Sequence, residues 1–302
     1  MPLTDNPVAV CIDMGGTKIY GALIEINTGK ILLEHRIATH EGDSVSQDRL
    51  ALLIDHLLAQ PLEEGQHIEH IGVGVPGVVT VAGEVMVAPN IGWTRFPLLA
   101  DLKSRFTIPI AVENDVNLAA LGEYRYGAAQ GTTSMICIAV GTGIGSGIVI
   151  NGQLVRGYTY SAGEVGYMIP GREFLGKVYD TFGAMEYEAA GPGIARRGSL
   201  AAGREVTTGD VFDAARRQEV WAVQIIDETL KYLALTLANS ASVLDPEIIV
   251  LSGGVITAAP DLFVEPLRQR IEGLTPFTPR VVASTLGSQA AALGAAALEP
   301  AI

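Results

Sequence analysis

The chain has 302 residues, with 20 Lys and Arg against 33 Asp and Glu, a formal net charge of −13. That balance argues against a nucleic-acid or anionic-membrane surface, because phosphate binding rests on Lys and Arg. With 48% hydrophobic and 18% charged residues, the composition is the reverse of a disordered chain, and the length suits two domains with sizeable cores.

Residues 7–13 (PVAVCID) are a short apolar run with β-branched members, which predicts a buried strand ending at a glycine pair. Residues 18–26 predict a second strand, and the turn Asn27-Thr28-Gly29 leads into a third at 30–39. Leu50, Leu53, Ile54, Leu57 and Leu58 recur at helical spacing, so 46–60 is predicted as an amphipathic helix. Strands follow at 68–75, halted by Pro76-Gly77, and at 108–112. All five histidines, His35, His40, His56, His67 and His70, lie in this stretch; their spacing is not that of a metalloprotease, and surface positions are expected.

In the second half, 134–140 (SMICIAV) runs as a strand into Gly141-Thr142-Gly143, and 147–150 is the next strand. Asn151-Gly152 is a type I′ hairpin signal leading into a strand at 153–156. Strand, Gly-Thr loop, strand, turn, strand thus occurs twice, which implies two related lobes, each presenting a glycine loop to a common cleft. Asp210 is expected to cap a helix starting at Val211, and 221–244 reads as a long helix ended by Asp245-Pro246. A strand at 247–252 closes on Gly253-Gly254, and 288–298 is an alanine-rich helix. Cys11 and Cys137 lie inside apolar runs and are expected as buried thiols; two cysteines cannot build a disulfide framework or a four-thiolate zinc site. No basic-then-apolar leader and no run of about 18 apolar residues is visible, so a soluble cytoplasmic protein without membrane contact is expected.

Five segments carry chemistry. In Asp13-Met14-Gly15-Gly16-Thr17-Lys18, an acid at a strand end, two glycines and a hydroxyl suit a turn whose N–H groups face a phosphate, with Asp13 placed to hold Mg²⁺ directly or through water. An ordinary Gly-Gly hairpin is the competing reading. The segment Gly141-Thr142-Gly143-Ile144-Gly145-Ser146-Gly147 has no Gly-Lys-Ser/Thr and is followed by a hairpin, so it is neither a Walker loop nor a dinucleotide turn; a second phosphate loop is expected. Glu113-Asn114-Asp115-Val116-Asn117 follows a buried strand, where α/β ligands bind: Asp115 suits proton abstraction from an alcohol, and a helix N-cap at Asn114 or Asp115 fits equally well. Glu164 and Glu186, each near glycines, suit sugar hydroxyls as ionised acceptors. Gly253-Gly254 ends a strand where a purine can lie against backbone. No His follows His70 and neither Cys has a polar setting, so the acid–base group of any proton chemistry is expected to be a carboxylate.

Taken together, DMGGTK, GVGVPGVV, APNIGW, ENDVNLAALGE, GTGIGSG and SGG, in that order, resemble the ROK family of sugar kinases and repressors within the actin-like ATPase superfamily, over almost the whole chain. The resemblance implies a two-lobed α/β actin-like ATPase (RNase H-like) fold with an interlobe cleft. It implies a smaller lobe of 1–114 plus 288–302 and a larger one of 115–287. It further implies ATP and Mg²⁺ as cofactors, a homodimer, and phosphorylation of a hexose, glucose first, at the 6-hydroxyl. Asp115 takes the general-base position. Gly77, Asn90, Asn114, Glu164, Tyr167 and Glu186 take sugar positions. Asp13, Gly15, Gly16, Thr17, Lys18, Gly141, Thr142, Gly143, Gly253 and Gly254 take nucleotide positions. The chain departs from the family where His is replaced by Tyr167 and where the zinc cysteines are missing. No zinc is therefore expected, and Phe174, Tyr179 and Phe182 are expected to pack where the metal would stand. Family repressors carry an N-terminal helix-turn-helix; the first loop already begins at Asp13, so no DNA binding is expected. A catalytically weak sugar sensor and a polyphosphate-dependent kinase are the alternatives.

Overall fold

Apolar residues at alternate positions of strand β1 (Asn6–Met14) put Val8, Val10 and Ile12 into one core, where Leu50, Leu53, Ile54 and Leu57 of helix α1 (Ser46–Leu58) meet them. The same strand is the centre of a five-stranded sheet with β2 (Lys18–Glu25), β3 (Ile31–Ala38), β4 (Gln66–Val75) and β8 (Ile110–Asn114) in the order β3-β2-β1-β4-β8. This computed structural model describes residues 6–42, 45–179 and 182–300. They group into two compact units, the first holding residues up to Gln130 with Leu154–Ala162 and the segment from Ser288, the second Gly131–Gln153 and Gly163–Gly287.

In the first unit, a small antiparallel sheet of β5 (Val78–Val79), β6 (Val85–Ala88) and β7 (Trp93–Phe96) branches off after β4, followed by α2 (Leu98–Arg105). Helix α3 (Asp115–Tyr126) starts directly after the last residue of β8 and packs against the alanine-rich α10 (Ala290–Ala296). This packing draws α3 into the first unit, so the boundary falls after Gln130 rather than after 114, and the two units are close to equal in length. His70 also belongs to this contact: it is buried, not superficial, and its Nε2 lies 3.1 Å from the Ala295 carbonyl oxygen. The other four histidines are exposed as expected.

The second unit repeats the sheet. Strands β9 (Ser134–Val140), β10 (Ile144–Ile150), β11 (Gln153–Leu154), β12 (Ile248–Ser252) and β13 (Arg280–Ala283) lie in the order β11-β10-β9-β12-β13, the pattern of the first sheet. Both residues of Asn151-Gly152 have positive φ, as a type I′ turn demands. Helices α4 (Ala184–Ala189), α5 (Gly191–Ala202), α6 (Thr208–Arg216), α7 (Val220–Leu244), α8 (Gly254–Ala258) and α9 (Pro260–Ile271) complete this unit.

Two sequence expectations move here. Gly145 and Gly147 lie within β10, paired with Ala139 and Cys137, so the second glycine loop is only Gly141-Thr142-Gly143. Helix α6 is capped by Thr207; Asp210 is the reciprocal partner, its carboxylate accepting from the Thr207 N–H at 2.8 Å while the Thr207 hydroxyl accepts from the Asp210 N–H at 3.1 Å. Cys11 and Cys137 are buried thiols, as expected. Among the described residues no helix is long and apolar enough to cross a membrane.

Candidate active site

In the first unit, three strands end in one row: Asp13 on β1 pairs with Gly74 on β4, and Gly74 pairs with Glu113 on β8. Gly74 lacks a side chain where the chain turns into α3; a Cβ there would lie 3.8 Å from the Asp115 Cα. Asp13 and Asp115 are thus brought together by strand register and by the β8–α3 junction.

The two readings of the 113–117 segment both hold, on different residues. Asn114 is the N-cap, its Oδ1 accepting from the N–H of Val116 at 2.9 Å and of Asn117 at 3.0 Å. Its Nδ2 donates to the Gly77 carbonyl at 2.9 Å and to Asp115 Oδ1 at 3.1 Å. An Asn amide has two donors and one acceptor oxygen with two lone pairs, so Asn114 is fully engaged by protein and orients Asp115; a sugar hydroxyl would have to displace one of these bonds. Asp115 is freed from capping and accepts from Asn114 and, at 2.9 Å, from the Val116 N–H, both on Oδ1.

Burial in the packed surroundings of the junction, and then the negative charge of Asp13, push the Asp115 pKa up to about 7 against the opposing hydrogen bonds. Burial likewise lifts Asp13 to about 6, with the Lys18 ammonium pulling the other way. Two carboxyls that burial brings to ionise near neutral pH, the charge of Asp13 further opposing that of Asp115, are what proton transfer and cation binding require.

The loop between β1 and β2 is fastened from behind by Thr39, whose hydroxyl donates to the Gly15 carbonyl at 2.7 Å and whose N–H donates to Thr17 O at 3.1 Å. The Gly15 N–H closes the turn on Lys18 O at 2.9 Å. The Gly16 and Thr17 N–H groups have no protein acceptor among the described residues, and Thr17 and Lys18 are exposed. Gly16 lies against Asn90, where an added Cβ would come within 3.0 Å of the Asn90 carbonyl oxygen. Gly77 has φ +90° and leaves room for the Val87 carbonyl, which a side chain would overlap at 1.9 Å.

In the second unit the loop has the same plan. The Gly141 N–H closes on Gly143 O at 2.8 Å, and Gly141 O accepts from Gly191, the first residue of α5, at 2.8 Å. A Cβ on Gly141 would lie 3.8 Å from the N of Gly254, which opens α8, so the loop and the Gly253-Gly254 corner come together. Gly253 makes that corner at φ +89°, 2.4 Å from the Val140 carbonyl were it to carry a Cβ.

Glu186 reaches back from α4 to accept from the Ile144 N–H at 2.8 Å. Its pKa is raised by burial, and Glu164 is raised by burial and by the Glu186 charge, so the two carboxylates are near neighbours. Tyr167 stands out at 59% exposure. Of the three aromatic residues expected near the family's metal position, Tyr179 and Phe182 pack against Tyr187, at centroid distances of 4.7 and 5.6 Å, and the Arg196 guanidinium lies 4.0 Å from the Tyr187 centroid. Phe174 instead packs edge-on against Tyr232, 6.3 Å away. Phe182, Tyr187 and Arg196 line, with Thr142 and Glu186, a hollow of about 160 Å³. Among the described residues no three His, Cys, Asp or Glu side chains are grouped to hold a metal ion. Sequence reasoning missed Thr39, Arg156, Tyr187 and Arg196; only tertiary neighbours reveal them.

The ROK family model matches residues 9–301. A glucokinase of Halalkalibacterium halodurans is 34% identical over 310 residues, covering 94% of this chain and 92% of that protein. The crystal structure of a ROK family glucokinase from Streptomyces griseus, in complex with glucose and AMPPNP, superposes with a TM-score of 0.79 at 30% identity, over 96% of this chain and 98% of that one. The ROK hexokinase of Thermus thermophilus gives a TM-score of 0.83 at 32% identity, over 96% of each chain. The mixed α/β fold with its repeated sheet is the actin-like ATPase fold, and the chain belongs to the ROK family.

Proposed function

We propose that this ROK protein is a sugar kinase that transfers the γ-phosphoryl group of ATP to the 6-hydroxyl of a hexose, glucose being the first candidate, with Asp115 as general base. The observation that carries the reading is the setting of Asp115. It sits at the head of α3, released from capping duty by Asn114, with a pKa of about 7. A base of that pKa is half-ionised at neutral pH and takes a proton efficiently.

In the proposed reaction the 6-hydroxyl donates its proton to Asp115 while its oxygen bonds to the γ-phosphorus. The bond from that phosphorus to the bridging oxygen breaks, and ADP leaves with the electron pair. Asn114 holds the Asp115 carboxylate in register throughout. Glu164 and Glu186 accept from sugar hydroxyls, and Gly77, Asn90 and Tyr167 complete the sugar contacts. Gly15, Gly16, Thr17 and Lys18 attend the phosphates from one loop, with the open N–H groups of Gly16 and Thr17 supplying donors. Gly141, Thr142 and Gly143 do so from the other, and Gly253 and Gly254 lie along the nucleoside.

The half-buried carboxyl of Asp13 at the loop mouth, near Asp115, fits a Mg²⁺ ion brought by ATP, because such an ion uses one or two carboxylates and takes its other ligands from phosphate and water. When bound, Mg²⁺ neutralises charge on the transferring group. A coupled assay of ADP release over glucose, mannose, amino and N-acetylated hexoses, with the product's phosphate position read by NMR, tests the proposal. Sugar-dependent turnover yielding a 6-phosphate is expected. Sugar binding by calorimetry without turnover on either ATP or polyphosphate would overturn it in favour of a sensor.

A further inference from the structure

The mechanism above leaves one conspicuous group without a task. Glu113 is 3% exposed, and both its oxygens are engaged. Oε1 accepts from the Asn114 N–H at 2.9 Å and from the Asn117 side-chain amide at 3.0 Å; Oε2 accepts from Arg156 Nε at 2.6 Å. One carboxylate therefore ties together the end of β8, the first turn of α3 and Arg156. Arg156 stands 43 residues away in sequence. It lies in Leu154–Ala162, the short segment that groups with the first unit although the chain on either side of it belongs to the second. The Arg156 carbonyl also accepts from the Ala162 N–H at 3.0 Å, closing the loop that runs on toward Glu164.

An ion pair of a buried carboxylate with an arginine still 34% exposed is a poor source of net stability, since desolvation of the carboxylate offsets most of the attraction. What it supplies is geometry. The two amide contacts of Glu113 bracket Asp115 in sequence, one on the residue before it and one on the residue two after it. Any rotation of the first turn of α3 must break one of them. Glu113 is itself held in place by the Arg156 guanidinium, which also provides the positive charge that an anion this deeply buried needs.

We infer that the Glu113–Arg156 ion pair is a positioning device for the general base, fixing the first turn of α3 so that Asp115 is presented in one orientation. The inference rests on the kinase reading above. Neither residue touches the reacting atoms; both act through Asn114, Asn117 and the turn they hold.

The surroundings offer a direct test. Glu113 and Arg156 line a hollow of about 240 Å³, with Thr80, Leu99, Lys103 and Val112 among its walls. Truncation by Arg156→Ala would open the carboxylate to small cations entering there. The expected result is a fall in kcat of about 10²-fold, the cost of misplacing a catalytic group by about 1 Å, while KM for sugar and for ATP stay close to wild type. Millimolar guanidinium chloride should restore much of that kcat in Arg156→Ala, and equal sodium chloride should not. Glu113→Gln keeps an acceptor for Asn114 and Asn117 but sets an amide donor against Arg156; it should lose kcat without guanidinium rescue.

If Arg156→Ala does not fold by thermal melting, Arg156→Lys takes its place. It keeps the charge but not the planar donor, and should lose kcat at unchanged KM. An active wild type with undiminished kcat in Arg156→Ala or Arg156→Lys would overturn the inference, as would a loss confined to KM or a loss that guanidinium and sodium repair equally. A wild type with no sugar-dependent turnover would overturn the kinase reading itself.

Discussion

Asp115 ionises near 3.8 in an ordinary setting and near 7 in the fold, because burial and then Asp13 oppose its charge. The folded protein therefore holds a proton that the unfolded chain releases between those values. The sign follows: the contribution of this carboxyl to stability is present below about pH 4 and is lost as pH rises through about 7. Asp115→Asn should raise the melting temperature at about pH 8 by about 2–4 °C for each kcal/mol of relieved penalty, and should change it little below about pH 4. Melting curves at the two pH values would show it. Asp13→Asn removes the second cause of the shift. The Asp115 carboxyl, followed by carbon-detected NMR, should then titrate at a lower pH than in wild type; an unchanged or higher midpoint would mean that the two carboxyls do not feel each other. The ENDVN segment suggested proton abstraction by Asp115, but which of Asn114 and Asp115 caps the helix was not legible in it. Both residue types cap well, and only the Gly77 carbonyl, met in three dimensions, commits the Asn114 amide to structure.

At the scale of elements, α3 owes its placement to close backbone packing. A Cβ on Gly294 in α10 would lie 1.7 Å from the Leu118 carbonyl oxygen, and one on Gly122 in α3 would lie 2.2 Å from that of Ala290. The alanine-rich composition of the last helix, visible in the sequence, is what permits this approach, although the partner helix was not visible. Gly294→Val should separate α10 from α3 and destabilise the first unit by about 1–3 kcal/mol or more, the usual cost of overpacking. Urea denaturation measures this directly, and a wild-type midpoint would contradict the packing argument. Most strands and helices were legible because their periodicities are strong; β1, β2, α1, β9 and α7 lie within two residues of their predicted limits. The misplacements have local causes. Gly145 looks like a loop residue but pairs in β10 beside the bulkier β9, so that strand starts before its predicted limit at Gly147. Thr207 shares its capping role with Asp210, and only Asp210 drew notice.

For the whole molecule, the repeated strand–loop–strand pattern in the sequence corresponds to two sheets of the same strand order. Glycine turns and apolar alternation are local signals, so this duplication could be read directly. Which unit α3 and the 154–162 segment join could not, because that depends on packing against α10 and on the Arg156–Glu113 pair, contacts between residues far apart in the chain. The ROK family and its kinase chemistry follow from motif order across nearly the whole length. Sugar choice does not. The central claim, that Asp115 removes the proton of the acceptor hydroxyl, is tested most directly by steady-state turnover of Asp115→Asn beside wild type on the best hexose, with sugar affinity measured by calorimetry. The account predicts a kcat lower by about 10²–10⁴-fold with sugar still bound; turnover equal to wild type would contradict it.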